Sequence, residues 1–299
     1  MRKENILAEE IKKIVEERVD VKVELRTIEK NNATLNALIF VAERISPVIY
    51  LDEIIDSVLE GNLSVDCGVN KIIEAYDKAK ENLQNMMNFN EIDKEFILTN
   101  VIPTLVQGKN NKKYLDGKVT RKFLDLNIIY KVRLEKPDVN DSYKSFTVTE
   151  RLLSENDLTE EELYKSAMEN LAKEKDGIIN IVKLLDYKMR GYDVDFDTVN
   201  EITGNENMLI ARTSKVNGSN ILLKEKFIKD VSDKFKKDLV ILPSSVHEII
   251  ICPITTDLCI KELVNIVHDV NKNEVEDEDV LSNSVYIYDR EKDKIVVFE

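Results

Sequence analysis

The chain has 299 residues, 43% hydrophobic and 33% charged, enough for one large domain or two average ones with packed cores. Only 8 glycines and 5 prolines exclude a collagen-like, linker-rich or low-complexity chain. A formal net charge of −14 argues against a protein built to coat nucleic acid or an anionic membrane.

Met1 to Asn5 run straight into a charged amphipathic pattern, with no apolar secretory core behind them. Residues 4–18 place Leu7, Ile11, Ile14, Val15 and Arg18 at helical spacing. The period then shifts to two, with Val21, Val23 and Leu25 alternating with Lys22, Glu24 and Arg26. Lys30-Asn31-Asn32 is turn chemistry and Leu35 to Val41 a second strand, so 20–42 reads as a hairpin. A short strand follows at Val48 to Leu51. Asp52 is placed to cap a helix ending at Gly61. A longer helix is expected from Ser64 to Leu83, with Val69, Ile72, Ile73, Tyr76 and Leu83 inward.

A helix is expected near 91–106, with Pro103 ending or kinking it. Lys109 to Lys122 is polar and basic, Phe123 to Leu134 reads as one strand, and Phe146 to Val148 as another. Thr159 and Glu162 form a capping box, with Leu158 and Leu163 as its hydrophobic staple, and a helix runs from there to about Lys173. Residues 175–205, irregular and acidic with three of the glycines, are the expected insertion or linker between an N-terminal region (1–174) and a C-terminal one (206–299). Beyond them the expected strands are Met208–Thr213, Asn220–Leu223, Leu239–Leu242 and Val246–Cys252, with Asn217-Gly218 as a turn. Helices are expected at 224–236 and 257–271, and a terminal hairpin at 285–298. Leu38–Ile55 and Leu209–Ile228 share the order strand, turn, strand, helix, as a duplication would leave. Hairpin connections dominate, so the fold class is α+β: mixed or antiparallel sheets with amphipathic helices packed on them.

The longest apolar stretch, Val246 to Ile254, is broken by His247, Glu248 and Pro253, far short of the ~20 residues of a membrane helix. Three cysteines, Cys67, Cys252 and Cys259, suit a reducing cytoplasm better than a disulfide scaffold.

Ser244, Ser245, His247 and Glu248 bring together the residue types of a nucleophilic triad. On an extended strand Ser245 and His247 would share a face, about 6.6 Å apart, while Glu248 would point away. That parity denies the imidazole its orienting carboxylate. His247, Cys252, Cys259 and His268 are zinc-ligand types, but their spacing matches no finger. Cys259 is expected on a buried stripe with Leu263, Ile266, Val267 and Val270, and His268 about 180° away. Asp193-Val194-Asp195-Phe196-Asp197 begins like a calcium loop, yet its sixth and twelfth positions are Thr198 and Gly204. Lys109, Lys112, Lys113, Lys118, Arg121 and Lys122 against Asp116 give a local excess of +5, with only Tyr114 and Phe123 for stacking. Glu274, Glu276, Asp277, Glu278 and Asp279 form an acidic loop, read as a solubilising one. Phosphate-cradling loops, the nucleophile elbow and the H-E-x-x-H zinc motif are absent from the sequence, so no cofactor and no metal are expected.

Five segments together resemble an uncharacterised bacterial family, domain of unknown function 5688. They are Ile45 to Leu51, Arg121 to Leu126, Leu242 to Glu248, Leu281 to Tyr286, and Tyr288-Asp289. The resemblance covers nearly the whole chain and implies a cytoplasmic bacterial protein, often encoded near mobile elements, with no assigned activity. It directs interest to Arg121, Asp125, Ser244, Ser245, His247 and Glu248 as one shared binding surface. The first expectation for function is a non-enzymatic, acidic interaction protein whose partner carries a basic surface. The alternative is a hydrolase or nucleic-acid-processing enzyme using His247 and neighbouring polar residues.

Overall fold

The computed structural model describes residues 3–41, 46–86, 92–109, 111–134, 143–214, 216–243 and 245–298, with 82–86 described by backbone alone. Ile45, the first residue of the resembling segment Ile45 to Leu51, and the expected inward side chain of Leu83 therefore lie outside the described residues. The fold is α+β, and the chain divides into two units, Met1–Ile92 and Asp93–Glu299.

In the first unit α1 (Lys3–Arg18) buries Leu7, Ala8, Ile11 and Val15, one face of a helix at spacings of one, three and four. The hairpin β1 (Val23–Glu29) and β2 (Thr34–Phe40) turns through Asn32, whose φ of 54° is the left-handed conformation asparagine tolerates. β3 (Val48–Tyr50) pairs antiparallel with β2. α2 (Asp52–Leu59) and α3 (Val65–Met86) complete the unit. Phe40 and Tyr76 stack in its core, ring centroids 4.1 Å apart. Asp52 does not cap α2 as expected. Leu51 holds that position, and the Asp52 carboxylate instead accepts from the Asn36 backbone N–H (2.9 Å) and side-chain amide (3.3 Å), tying the helix to β2.

The second unit opens with α4 (Lys94–Asn100), capped by the Asp93 carboxylate. β4 (Val101–Gln107) follows where a continued helix was expected. Its run of β-branched and aliphatic residues is buried at six of seven positions, as a strand covered on both faces requires. Pro103 is tolerated because β4 is an edge strand. α5 (Lys112–Leu115) leads to β5 (Thr120–Phe123) and β6 (Leu126–Arg133). The expected single strand 123–134 is thus a hairpin, turned at Leu124-Asp125 with Leu124 at φ 53°. β6 pairs with β4 and also with β5 and with β7 (Ser145–Thr147), making a four-stranded antiparallel sheet. α6 (Glu150–Glu155) precedes α7 (Glu160–Ala172), which starts at the expected Thr159–Glu162 capping box and packs on β4.

A second, six-stranded sheet contains β8 (Gly177–Asn180), followed by α8 (Ile181–Met189), and β9 (Leu209–Arg212), followed by α9 (Glu225–Phe235). It continues with β10 (Leu239–Leu242), β11 (Ile249–Pro253), α10 (Ile260–Asn273), β12 (Tyr286–Asp289) and β13 (Lys294–Val297). Its order is β13-β12-β10-β11-β9-β8, and every pair is antiparallel. The stretch 175–205, expected to be a linker, supplies the edge strand β8 and buries Val194 and Phe196 against it. The division between the two units falls in the chain between Ile92 and Asp93. Asn220–Leu223, expected as a strand, lie in a 3-10 helix spanning Gly218–Leu223, so the second half of the supposed duplication lacks its second strand. The buried stripe of α10 is Leu263, Val267 and Asn271. Cys259 is its exposed N-cap, and Ile266 and Val270 face solvent, which corrects the expected stripe.

The 3-10 helix joins the two sheets of this unit. The Asn220 side chain donates to the Pro103 carbonyl (2.8 Å) and accepts from the Leu105 N–H (3.1 Å), giving the edge of β4 the hydrogen bonds a neighbouring strand would supply. Gly218 touches the far side: a Cβ there would lie 2.2 Å from the His247 carbonyl oxygen, so only glycine fits.

Candidate functional site

The expected shared surface resolves into two separate centres, one at each end of β5. Arg121, on β5, points to the first turn of α7. Its guanidinium donates to Glu160 through Nε (2.8 Å) and Nη2 (2.6 Å) and also to Glu161, and it lies 3.8 Å from the Tyr164 ring centroid. The buried Tyr130 hydroxyl donates to the same Glu160 oxygen that Arg121 Nε uses. Burial alone would raise the Glu160 carboxyl. The Arg121 and Tyr130 hydrogen bonds outweigh it and hold the group below its ordinary value. The Glu160 hydrogen bond, followed by that of Glu161, raises Arg121 further above its already high range.

Asp125, in the β5–β6 turn, accepts from the hydroxyls of Ser282 (2.9 Å), Ser284 (2.9 Å) and Tyr286. Burial and then the Asp125 carboxylate push the Tyr286 phenol well above its ordinary range, so it remains a donor. The same loop is fixed on its other side: the Ser282 N–H donates to the Pro243 carbonyl (3.0 Å), and the Asn271 amide donates to the Ser282 carbonyl (2.9 Å). Segments 121–126 and 281–286, both singled out in the sequence, therefore meet around one carboxylate, and 242–248 joins them through the Pro243 carbonyl on the Ser282 backbone.

Residues 245–248 do not continue β11. The Val246 carbonyl is taken by the Ser219 N–H and hydroxyl, and the Val246 N–H by the Asp279 carbonyl. The strand-parity argument consequently fails in its premise. His247 Nε2 faces the Asp279 carboxylate at 3.1 Å, and Ser245 Oγ accepts from the His247 backbone N–H, not from its ring. Nδ1 is buried without a hydrogen-bond partner. A general base must reach the proton it removes, and the one uncommitted ring nitrogen is closed off. Ser244 lies outside the described residues. Glu248 is half-buried, and the carboxylate on the His247 ring is that of Asp279 instead. The orienting acid, Asp279, sits in the loop read as solubilising, 32 residues away, with no local signal to reveal it.

The remaining sequence candidates separate as well. Burial pushes the Cys252 thiol up to about 11, Cys259 is exposed, and His268 faces solvent on α10. Among the described residues no group of three or more His, Cys, Asp or Glu is arranged to hold a metal ion. Asp195 and Asp197 of the calcium-like stretch pair with Lys175 and Lys183. In the basic segment Lys118 folds back onto its own loop, donating to the Tyr114 carbonyl, and Arg121 is turned to carboxylates.

Two open grooves run along α7. One, about 670 Å³, lies between α4 and α7 and mixes Asp93, Glu95 and Glu169 with Lys94 and Lys173. The other, about 470 Å³, has Tyr164, Met168 and Leu223 as its floor, with Glu161, Glu169 and Glu225 at its rim and Lys165 as its one cation. No described helix is long and apolar enough to cross a membrane.

The family described as "Family of unknown function (DUF5688)" matches residues 4–290, and the chain belongs to it. Comparison with curated proteins and with solved structures gives no match.

Proposed function

We propose that this member of the DUF5688 family is a non-enzymatic interaction protein that docks a partner carrying a basic surface. The observation that carries the reading is the second α7 groove, where Glu169 and Glu225, against Lys165, flank the apolar Tyr164, Met168 and Leu223, while Glu161 on the same rim is paired with Arg121. Tyr164 and Met168, one helical turn apart on α7, offer area to bury, and the rim carboxylates offer attraction to cations and a faster encounter. The net charge of −14 adds to that field at long range. The polar side chains that suggested an enzyme serve internal contacts: Arg121 on α7, Asp125 on the 282–286 loop, His247 on Asp279. We take the setting to be the bacterial cytoplasm near mobile elements, as the family resemblance implied.

The test is capture from a bacterial lysate at low and high salt, with wild-type protein and Glu169→Lys/Glu225→Lys. Both glutamates are exposed, so the fold should survive. A partner that binds wild type in a salt-sensitive manner and is lost by the variant supports the reading. No salt-sensitive partner, or one the variant retains, overturns it.

A further inference from the structure

The most exposed apolar stripe of the second unit lies on α8. Val182, Leu185 and Met189 are 70%, 53% and 88% exposed, and Tyr192 just beyond the helix is 62% exposed. Spacings of three and four place the first three on one helical face, about 10 Å long. The opposite face buries Leu184 against β8. Of the cations on residues 181–190, Lys183 pairs with Asp197 and Arg190 with Asp186, which leaves the exposed Lys188 to offer its charge beside the stripe. The α7 groove offers the opposite charge: Glu161 is taken by Arg121, and Glu169 and Glu225 remain against Lys165, beside the apolar Tyr164, Met168 and Leu223.

We infer that the groove's occupant is the α8 stripe of a second copy of this chain. The inference rests on reading the α7 groove as a docking site, and it names the partner. Helix α8 of one copy would lay Val182, Leu185 and Met189 over Tyr164, Met168 and Leu223 of the other. Lys188 would then meet the rim carboxylates Glu169 and Glu225. Within one chain the stripe remains exposed, so it does not fill its own groove. Pairing between copies covers two unpartnered apolar surfaces at once and matches their charges. Because the contact joins two different surfaces, every copy offers both halves.

The experiment is sedimentation of the full chain over rising concentration, at low and high salt. Wild-type mass should climb from 34.5 kDa towards at least double, and less at high salt. Leu185→Glu/Met189→Glu loses the stripe and keeps the groove; Glu169→Lys/Glu225→Lys does the reverse. Each alone should stay monomeric, and an equimolar mixture should recover a dimer through the one intact pair of surfaces. Lys188→Glu, a single exposed change, should weaken wild-type association without touching the apolar stripe. A wild type that stays monomeric, variants that associate like wild type, or a mixture that fails to recombine would each overturn the inference. In any of those cases, lysate capture that still depends on Glu169 and Glu225 leaves the groove as a docking site for another protein. Loss of that dependence removes both.

Discussion

Arg121 and Asp125 stand four residues apart at the two ends of β5, and they hold the molecule together in different ways. Arg121 joins its hairpin to a helix 39 residues on, in an ion-pair cluster whose members are 29%, 33% and 78% exposed. Asp125 joins its turn to a segment 157 to 161 residues on, through three neutral hydroxyls, one of them on the fully buried Tyr286. Water screens the first set and competes for its hydrogen bonds. It has little access to the second. A lone carboxylate satisfied by closed-off hydroxyls should therefore matter more than a visible salt bridge, although the ion pair shows the more conspicuous charges. The Asp125 carboxylate is spent on the 282–286 loop, while the Arg121 cluster borders the second α7 groove through Glu161 and Tyr164, which is why the pair does not form the single surface expected of them.

The largest test of that contrast is Asp125→Ala. It leaves three donors without an acceptor, two of them on the buried Ser282 and Tyr286, and should cost about 3 kcal/mol, since hydrogen bonds to charged groups are the strong ones. The chain has 10 tyrosines and no tryptophan, so tyrosine fluorescence during chemical denaturation reports it, Tyr286 among the probes. A loss no larger than that from Arg121→Met would break the comparison. Next is Asn220→Ala, which strips two backbone groups of β4 of their partners and should cost about 2 kcal/mol. Amide exchange at Leu105 should rise first. An unchanged Leu105 would mean the edge of β4 does not depend on that amide.

What could be read from sequence was local. The capping box at Thr159 and Glu162, the first hairpin with Asn32 at its turn, and the terminal hairpin all declare themselves within a few residues. β4 was misread because Val101–Val106 is buried on both faces, and a continuous apolar run carries neither the helical nor the alternating period. The β5–β6 turn was missed because Leu124 takes the left-handed conformation with no glycine or asparagine to announce it. The Asp125 partners were too distant for any local rule, yet a trace existed: Ser282, Ser284 and Tyr286 alternate, putting three hydroxyls on one face of an extended chain. His247 found its carboxylate in a loop where acidity alone suggested solvation.

The smaller tests concern the start of α7, where the acceptors of Arg121 sit. Thr159→Ala removes the side-chain cap and should cost about 1 kcal/mol, read as a lower denaturation midpoint. Arg121→Met should cost less than about 1 kcal/mol and lose its effect as salt rises, because its partners are part-exposed. The smallest effect belongs to Glu162. Its carboxyl accepts from Lys94 (2.8 Å) and from the Thr159 N–H and hydroxyl, in that order of weight, and is held at about 2 against an ordinary 4.5. A carboxyl depressed by folding stabilises the folded state fully above its unfolded value and loses that contribution as pH falls through the folded one. Protonating the unfolded chain thus begins to erode α7 below about pH 4.5, and the contribution is gone near pH 2. Glu162→Gln should flatten that limb of the stability profile while leaving stability above pH 5 slightly lower, since the amide keeps some of the cap and loses the charge. If the variant follows the wild-type acid limb point for point, Glu162 does not govern the helix start, and the Arg121 cluster on the same turn must carry the acid dependence.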